Sequence, residues 1–593
     1  MPSNLTGWFS IGGTGLSLQN LTKPVSSALP TSMRVSTNGS SSGQVGFGNT
    51  GYWGIEVKKQ DYQGSFYVKG NINGSFTASL QSALTNESFG SVQIPARQSG
   101  DWVQYNYTLC PERDAPNANN SLIITFDASC ATDGYLDFNL ISLFPPTYKN
   151  TPNGNRPELM EALAGLKPTF LRLPGGNNLE GNDPPYFWKW NQTLGPLVDR
   201  PGYPGTWNYE NTDGLGLIEY MHWCRDLGME PILAVWDGFY LNGPAINQSN
   251  LQPYIDFALN ELEFLMGGAN TTYGAQRAAL GYDAFEINWV EVGNEDNLGG
   301  GAASYSAYRF RMFNDAILAK YPHMNIIAST VVIDPFPGNA SGDYHQYSRP
   351  DHFVGQFNFF DNFTSEHKTL IGEYATVQAN NGTADAGVDF DSPRSKFPFW
   401  IGTVAEAVFL LGAERNADKI IGAAYAPLLQ NLNSYQWAPD LISFTADTSQ
   451  TILSTSYHML QLMGGTHITE TRESPGTFGP AYWVTGKTES GYAMKAAVYN
   501  STGDVPMTVS FPEVGAGAKA TLTVLTADSP DAYNGLGTPN VVQTSTTEVA
   551  ANDAGAFSFS LPNLSIAVLE TGSQGASNGT YGMPQGYGRK WSA

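Results

Sequence analysis

The sequence is poor in cysteine, in histidine and in basic residues, and each shortage removes a class of protein. Three cysteines in 593 residues cannot build a disulfide framework or a four-cysteine zinc site. The seven histidines show no His-Glu-x-x-His or comparable ligand spacing. With no P-loop or dinucleotide fingerprint in context either, neither a metal nor a cofactor is expected. Thirty Lys and Arg face 53 Asp and Glu, a net charge of −23 that repels phosphate backbones and anionic bilayers, so nucleic acid and membranes are not expected partners. No apolar run approaches the roughly 18 to 20 residues that a bilayer span requires. The opening residues, MPSNLTGWFS, lack both a basic and an apolar stretch and do not read as a signal peptide.

What is plentiful is chain length, glycine and glycosylation signals. At 593 residues the chain exceeds one ordinary core, and even a large barrel of about 250 to 300 residues leaves accessory domains. Sixteen Asn-x-Ser/Thr sequons occur, among them Asn4, Asn73, Asn106, Asn191, Asn247, Asn362 and Asn500, which points to a secreted, extracellular glycoprotein. One intrachain disulfide is expected between Cys110 and Cys130, in a β-rich region. Cys224 lies in a helical pattern and is expected to be a buried free thiol.

Residues 1–146 carry short alternating segments such as 64–70 and 122–126, separated by Gly, Asn and Ser; they read as a β-sandwich of the carbohydrate-binding-module type. Its Trp53, Trp102, Tyr105 and Tyr107 are candidates for a sugar-stacking surface or for core packing. From about 147 to 466 strands and helices alternate. Seven buried-strand candidates begin at 169, 231, 288 and 325, end near Tyr347, and continue at 370 and 423. Helical patterns at 158–165, 214–227, 254–266, 304–320, 399–415 and 454–464 intervene. The order predicts an α/β (β/α)8 TIM barrel. Its first strand is missing from the pattern, because a helix precedes the first strand found, and it is expected upstream of Met1. Residues 467–572 alternate again as a second β-sandwich, and the Gly- and Ser-rich 573–593 reads as a flexible tail.

In a barrel of this kind chemistry gathers where strands end, so an acid closing an apolar strand is informative. Glu295 closes Val290-Glu-Val-Gly-Asn-Glu295 and Glu373 closes Leu370-Ile-Gly-Glu373; counting the missing strand, these are strands four and seven. Glycoside hydrolysis needs one carboxyl to protonate the leaving oxygen and a second to attack or to activate water. Asn294 offers an amide to a sugar 2-hydroxyl, and the Pro174-Gly-Gly turn lets a sugar approach while placing the Asn177 amide at the rim. Tyr347 is a candidate donor to Glu373, a contact that would keep the carboxylate ionised, with a core tyrosine as the alternative. Trp236 and Asp237, at the end of another strand, suit sugar stacking and hydroxyl binding, and suit packing equally. Glu291, four residues before Glu295, is expected in a buried salt bridge with Arg172, and His345 as a hydrogen-bonding wall of the site.

The motifs Leu171-Arg-Leu-Pro-Gly-Gly-Asn177, Ala234-Val-Trp-Asp-Gly238, Trp289-Val-Glu-Val-Gly-Asn-Glu295, His345-Gln-Tyr347 and Gly372-Glu-Tyr374 occur in the order found in glycoside hydrolase family 51. The sequence resembles that family's α-L-arabinofuranosidases, especially the fungal ones, over most of its length. The resemblance implies Glu295 as acid/base and Glu373 as nucleophile, with Asn177, Asn294 and Tyr347 binding the furanose or positioning the nucleophile. One departure is that the family's acidic residue on the first barrel strand has no counterpart before residue 150. The implied activity is retaining, exo-acting release of arabinose from arabinan or arabinoxylan side chains, so the expected partners are arabinose-containing plant polysaccharides. The competing readings are an endo-acting glucanase or xylanase of the same clan and a catalytically dead carbohydrate-binding protein.

Overall fold

The computed structural model describes residues 4–572, apart from 38, 40, 41, 209, 332–335, 384 and 539; the expected tail at 573–593 lies outside the described residues. The N-terminal part is two five-stranded antiparallel sheets. In one, Trp8–Ile11, Gln44–Asn49, Asn120–Asp127, Ser75–Ser82 and Ser88–Pro95 lie side by side; in the other, Gly15–Asn20, Thr31–Ser36, Tyr135–Phe144, Tyr62–Lys69 and Val103–Leu109. Alternation explains why they stack: Tyr62, Gly64, Phe66 and Val68 are buried while the residues between them are half-buried or exposed, so each sheet turns one apolar face inward. Tyr105 and Tyr107 belong to this core, which settles their fate as packing.

The central part is a parallel sheet of seven strands among the described residues: Phe170–Leu173, Glu230–Val235, Trp289–Val292, Asn325–Ala328, Ser341–Ser348, Thr369–Thr376 and Ile420–Tyr425, in sequence order. These are the seven expected. The sheet curls until its edges approach, since a side-chain carbon added at Gly422 on the last strand would lie 2.7 Å from the ring of Phe170 on the first. Ile232, Ile327 and Leu370, with Phe170, Trp289 and Ile421, form one apolar cluster contributed by six of the strands; it is the filled barrel interior beneath the site. The expected helices are found at Pro157–Gly165, Leu217–Leu227, Gln252–Met266, Phe310–Lys320, Trp400–Arg415 and Thr455–Gly465. Cys224 is buried within the Leu217–Leu227 helix as a free thiol.

The C-terminal part pairs Glu470–Arg472, Ala481–Lys487, Tyr492–Val498, Ser565–Thr571, Lys519–Thr526 and Gln543–Ala550 in one sheet, with Val505–Ser510 and Ala556–Leu561 as a second layer. It is welded to the barrel by the Trp400–Arg415 helix. Trp400 is fully buried and donates its indole N–H to the Leu564 carbonyl at 2.8 Å, and Lys495 reaches Glu414 at 2.6 Å. The fold is therefore a TIM-type barrel flanked by β-sandwich domains. One expectation fails: Cys110 and Cys130 are both free. Cys110 is exposed at the end of its strand and donates to Asp61 at 2.8 Å, whereas the Cys130 sulfur packs toward Gly74 on another strand connection. Sequence spacing in a β-rich region does not fix the pairing geometry a disulfide demands.

Candidate active site

Arg172 is the hub of the site. Its strand ends in the Pro-Gly-Gly turn, where Gly175 and Gly176 have φ of 78° and 58°, a backbone that side chains rarely adopt. The turn brings the chain close to Glu373: a side-chain carbon at Gly176 would sit 3.6 Å from its Oε1. Arg172 donates to Glu291 Oε2 and Oε1 at 2.5 and 2.8 Å, to Glu373 Oε1 at 2.9 Å and to Asn294 Oδ1 at 2.8 Å. It also lies 3.6 Å from Asp343. The expected bridge to Glu291 is thus present. Burial opposes the guanidinium charge, but Glu291, Asp343 and Glu373 more than offset it and hold the group protonated.

Glu373 is fixed at both oxygens, since Tyr347 donates its hydroxyl to Oε2 at 2.6 Å. Burial first, and then the Glu373 charge, push the Tyr347 phenol well above its ordinary value, so it remains a donor. Glu295 faces it from the third strand of the set. Oxygens of Glu295 and Glu373 lie within 4.8 Å of each other. Glu295 has φ of 45°, a left-handed backbone uncommon outside glycine and often held at functional positions.

His345 lies between the two carboxylates. Nδ1 is 3.0 Å from Glu295 Oε1 and 3.6 Å from Glu373 Oε2, and Nε2 is 2.8 Å from Asp343 Oδ2. Burial works against the imidazolium, yet Glu373, Asp343 and Glu295 raise it well above its usual value. For Glu295, burial pushes the carboxyl up, but the His345 hydrogen bond and charge, with Arg172, bring it below the ordinary carboxylate value. The negative charge of Glu373 alone would favour a raised acid at Glu295, and the His345 contact reverses that direction. Glu291, Asp343 and His345, and likewise Glu295, His345 and Glu373, converge their ligand-type atoms. Arg172 and the imidazolium are the cations that these carboxylates share.

The two amides meet on a carboxylate that sequence reasoning overlooks. Glu180 Oε2 accepts from Asn177 Nδ2 at 2.7 Å and from Asn294 Nδ2 at 2.9 Å. Glu180 is 2% exposed, and burial raises its carboxyl well above the ordinary value. Its position three residues after Asn177 is the only signal in the sequence. Asn177 Oδ1 accepts from the indole of Trp207 at 3.0 Å. Trp207 lies 5.5 Å from Trp437, and Trp437 5.1 Å from Tyr347, which makes an aromatic wall leading outward from Glu373. Neither Trp stands in a strand-end motif.

Trp236 and Asp237 are not brought to this cluster. Trp236 is 5% exposed, stacked at 4.0 Å on Phe187 and donating to the Phe239 carbonyl at 2.7 Å, so packing claims the ring. Asp237 is buried against Arg309, which also holds Asp296. Asp296 in turn accepts from Ser329 at 2.8 Å. Gly293, with φ of 85°, leaves room for this ion cluster: a side-chain carbon there would lie 2.0 Å from Asp296 and 3.2 Å from Asp237. Asp237 thus braces the turn that presents Asn294 and Glu295, and it is not placed as a sugar ligand.

Glu295, just past the Trp289–Val292 strand, and Glu373, within the Thr369–Thr376 strand, come close enough to act on one bond, the arrangement that glycoside hydrolysis requires. The Alpha-L-arabinofuranosidase 1 domain matches residues 162–365 and the Alpha-L-arabinofuranosidase C-terminal domain residues 372–565. Alpha-L-arabinofuranosidase A of Aspergillus kawachii is 44% identical over 95% of this chain and 88% of its own length; that of Aspergillus niger is 43% identical over the same shares. An arabinose-bound GH51 α-L-arabinofuranosidase, MgGH51, superposes with a TM-score of 0.88 at 34% identity, covering 95% of this chain and 91% of that one. The enzyme from Thermotoga maritima shares the fold at a TM-score of 0.54 and 18% identity, over 72% and 91% of the two chains. The chain belongs to the α-L-arabinofuranosidase family, glycoside hydrolase family 51.

Proposed function

We propose that this glycoside hydrolase is a retaining, exo-acting α-L-arabinofuranosidase that removes arabinose from side chains of arabinoxylan or arabinan. The observation that carries the reading is the approach of Glu295 and Glu373 oxygens to within 4.8 Å. Double displacement calls for carboxyl groups about 5 to 5.5 Å apart, whereas single displacement needs about 6.5 to 9.5 Å to admit a water between them.

Glu373, held in position by Arg172 and Tyr347, attacks the anomeric carbon; a carboxylate–carbon bond forms as the glycosidic bond breaks. Glu295 delivers the proton to the departing oxygen. Asp343 keeps a proton on Nε2 of His345, so Nδ1 and Glu295 Oε1 share a second proton between them. This pair is the reservoir: the proton rests on the imidazole and passes to Glu295 as the leaving oxygen approaches. Glu295 then takes a proton from the water that displaces Glu373 and releases arabinose with configuration retained. Asn177 and Asn294 each give one amide N–H to Glu180 and keep a second for sugar hydroxyls. The aromatic wall of Tyr347, Trp437 and Trp207 encloses one side, which supports a pocket for a terminal residue over an open cleft.

Secretion is part of the same reading. The asparagines of the sequons at 4, 73, 106, 191, 247, 362 and 500 are all exposed, as glycan attachment requires. No helix among the described residues is long and apolar enough to cross a membrane. The functional test is hydrolysis of an aryl α-L-arabinofuranoside by the native chain, by Glu373→Gln and by Glu295→Ala. The reading expects loss of turnover in the first variant. In the second it expects the largest loss on substrates with poor leaving groups, and rescue by azide on good ones. Full activity of Glu373→Gln would contradict it.

A further inference from the structure

Tyr52 and Trp53 stand out on the N-terminal sandwich. They are 59% and 53% exposed, adjacent in sequence, with ring centroids 4.3 Å apart and planes at 86°. Burial does not hold them there; the backbone does. Gly54 N–H donates to the Thr50 carbonyl at 3.0 Å, Gly51 and Gly54 form a bridge, and Trp53 takes φ of 59°, a conformation that costs free energy in a non-glycine residue. A tight, strained turn that presents two large rings to water is the opposite of what folding alone favours.

The turn is fastened to the catalytic side of the barrel. Residues 426–454 connect the C-terminal end of the Ile420–Tyr425 strand to the start of the Thr455–Gly465 helix, so they lie on the face where the strands end. Part of this connection carries Trp437 beside Tyr347. Another part meets the turn itself: a side-chain carbon at Gly54 would touch Ala446 at 3.2 Å, Glu56 accepts from the Thr448 amide and hydroxyl at 3.2 and 2.9 Å, and Lys58 donates to Thr448 at 2.7 Å. One loop therefore ties the exposed rings to the wall of the active site.

We propose that Tyr52 and Trp53 form a sugar-stacking platform for main-chain pyranose units of a branched polysaccharide whose arabinosyl branch enters the barrel. The C–H faces of a pyranose pack on aromatic rings, and two rings at right angles grip a face and an edge of the chain. The inference rests on the arabinofuranosidase reading and assigns its polymeric substrate a second point of contact outside the pocket.

The test is a Tyr52→Ala/Trp53→Ala double variant of the full chain. On soluble arabinoxylan the expected result is a KM raised by about three- to tenfold with kcat retained, while kcat/KM on an aryl arabinofuranoside, which reaches only the pocket, stays as in the native chain. In a Glu373→Gln background, gel electrophoresis through arabinoxylan is expected to lose its retardation by a similar factor. Unchanged KM on the polymer and unchanged retardation overturn the proposal, as does an equal fall on the polymer and the aryl substrate, which would mark the pair as structural. If the native chain hydrolyses neither substrate the functional reading fails, and the retardation measurement still decides the platform.

Discussion

The hydroxyl of Tyr347 donates to Oε2 of Glu373 at 2.6 Å, opposite the 2.9 Å contact of Arg172 with Oε1. Glu373, the proposed nucleophile, is thus held at both oxygens before substrate arrives. Tyr347→Phe keeps the ring against Trp437 and removes one charge-assisted hydrogen bond, which is worth about 1.5 to 3 kcal/mol. The expected fall in kcat on an aryl arabinofuranoside is about 10- to 100-fold. Steady-state kinetics check it, and an unchanged kcat would mean the hydroxyl does not act on the nucleophile.

The Asp343–His345–Glu295 relay sets the pH dependence. The active form carries one proton on the His345–Glu295 pair and loses it as pH rises through the pair's upper titration. Because His345 is raised well above its ordinary value, the basic limb of kcat/KM lies above that of an unperturbed imidazole. In His345→Gln the proton must sit on Glu295 alone, so the basic limb moves to lower pH. A pH–rate profile measures the shift, and a limb that stays in place would remove His345 from proton storage.

Glu180 acts through the two asparagines. Glu180→Ala frees both amides, and kcat/KM is expected to drop by about 10- to 100-fold, the scale of two lost hydrogen bonds at a reacting sugar. Glu180→Gln retains an oxygen that accepts from Asn177 and Asn294, and is expected to recover most of that loss. Equal kinetics in the two variants would show that the acceptor geometry is not what matters.

All three thiols are free, and they differ in access. Cys110 is exposed, Cys130 half-buried and Cys224 buried. In the folded protein a thiol reagent should modify Cys110 first and spare Cys224, and denaturation should release three titratable thiols. A count of one after denaturation would restore the disulfide that the sequence suggests.

The fold was legible wherever a strand reads as a short apolar run closed by a chemically distinctive residue. Leu171-Arg172-Leu173, Val290–Glu295 and Leu370–Glu373 gave their strands, and their charged residues meet in one cluster because each lies at or near the same end of buried runs in one parallel sheet. Tyr347 was readable for the same reason. Asp237 has the same pattern and a different fate, since its partner Arg309 lies 72 residues away on a helix, and nothing local marks the pairing. Glu180, Trp207 and Trp437 come from irregular connections without periodicity, and only the folded chain brings them to the site. The expected Cys110–Cys130 bridge failed because periodicity places residues on strands without fixing which strand ends meet.

The account stands on double displacement at Glu373 with proton transfer through Glu295. The most direct measurement is the anomeric configuration of the first-formed sugar, followed by proton NMR during hydrolysis of an aryl α-L-arabinofuranoside before mutarotation. The account predicts α-arabinofuranose as the initial product, and initial appearance of the β anomer would contradict it.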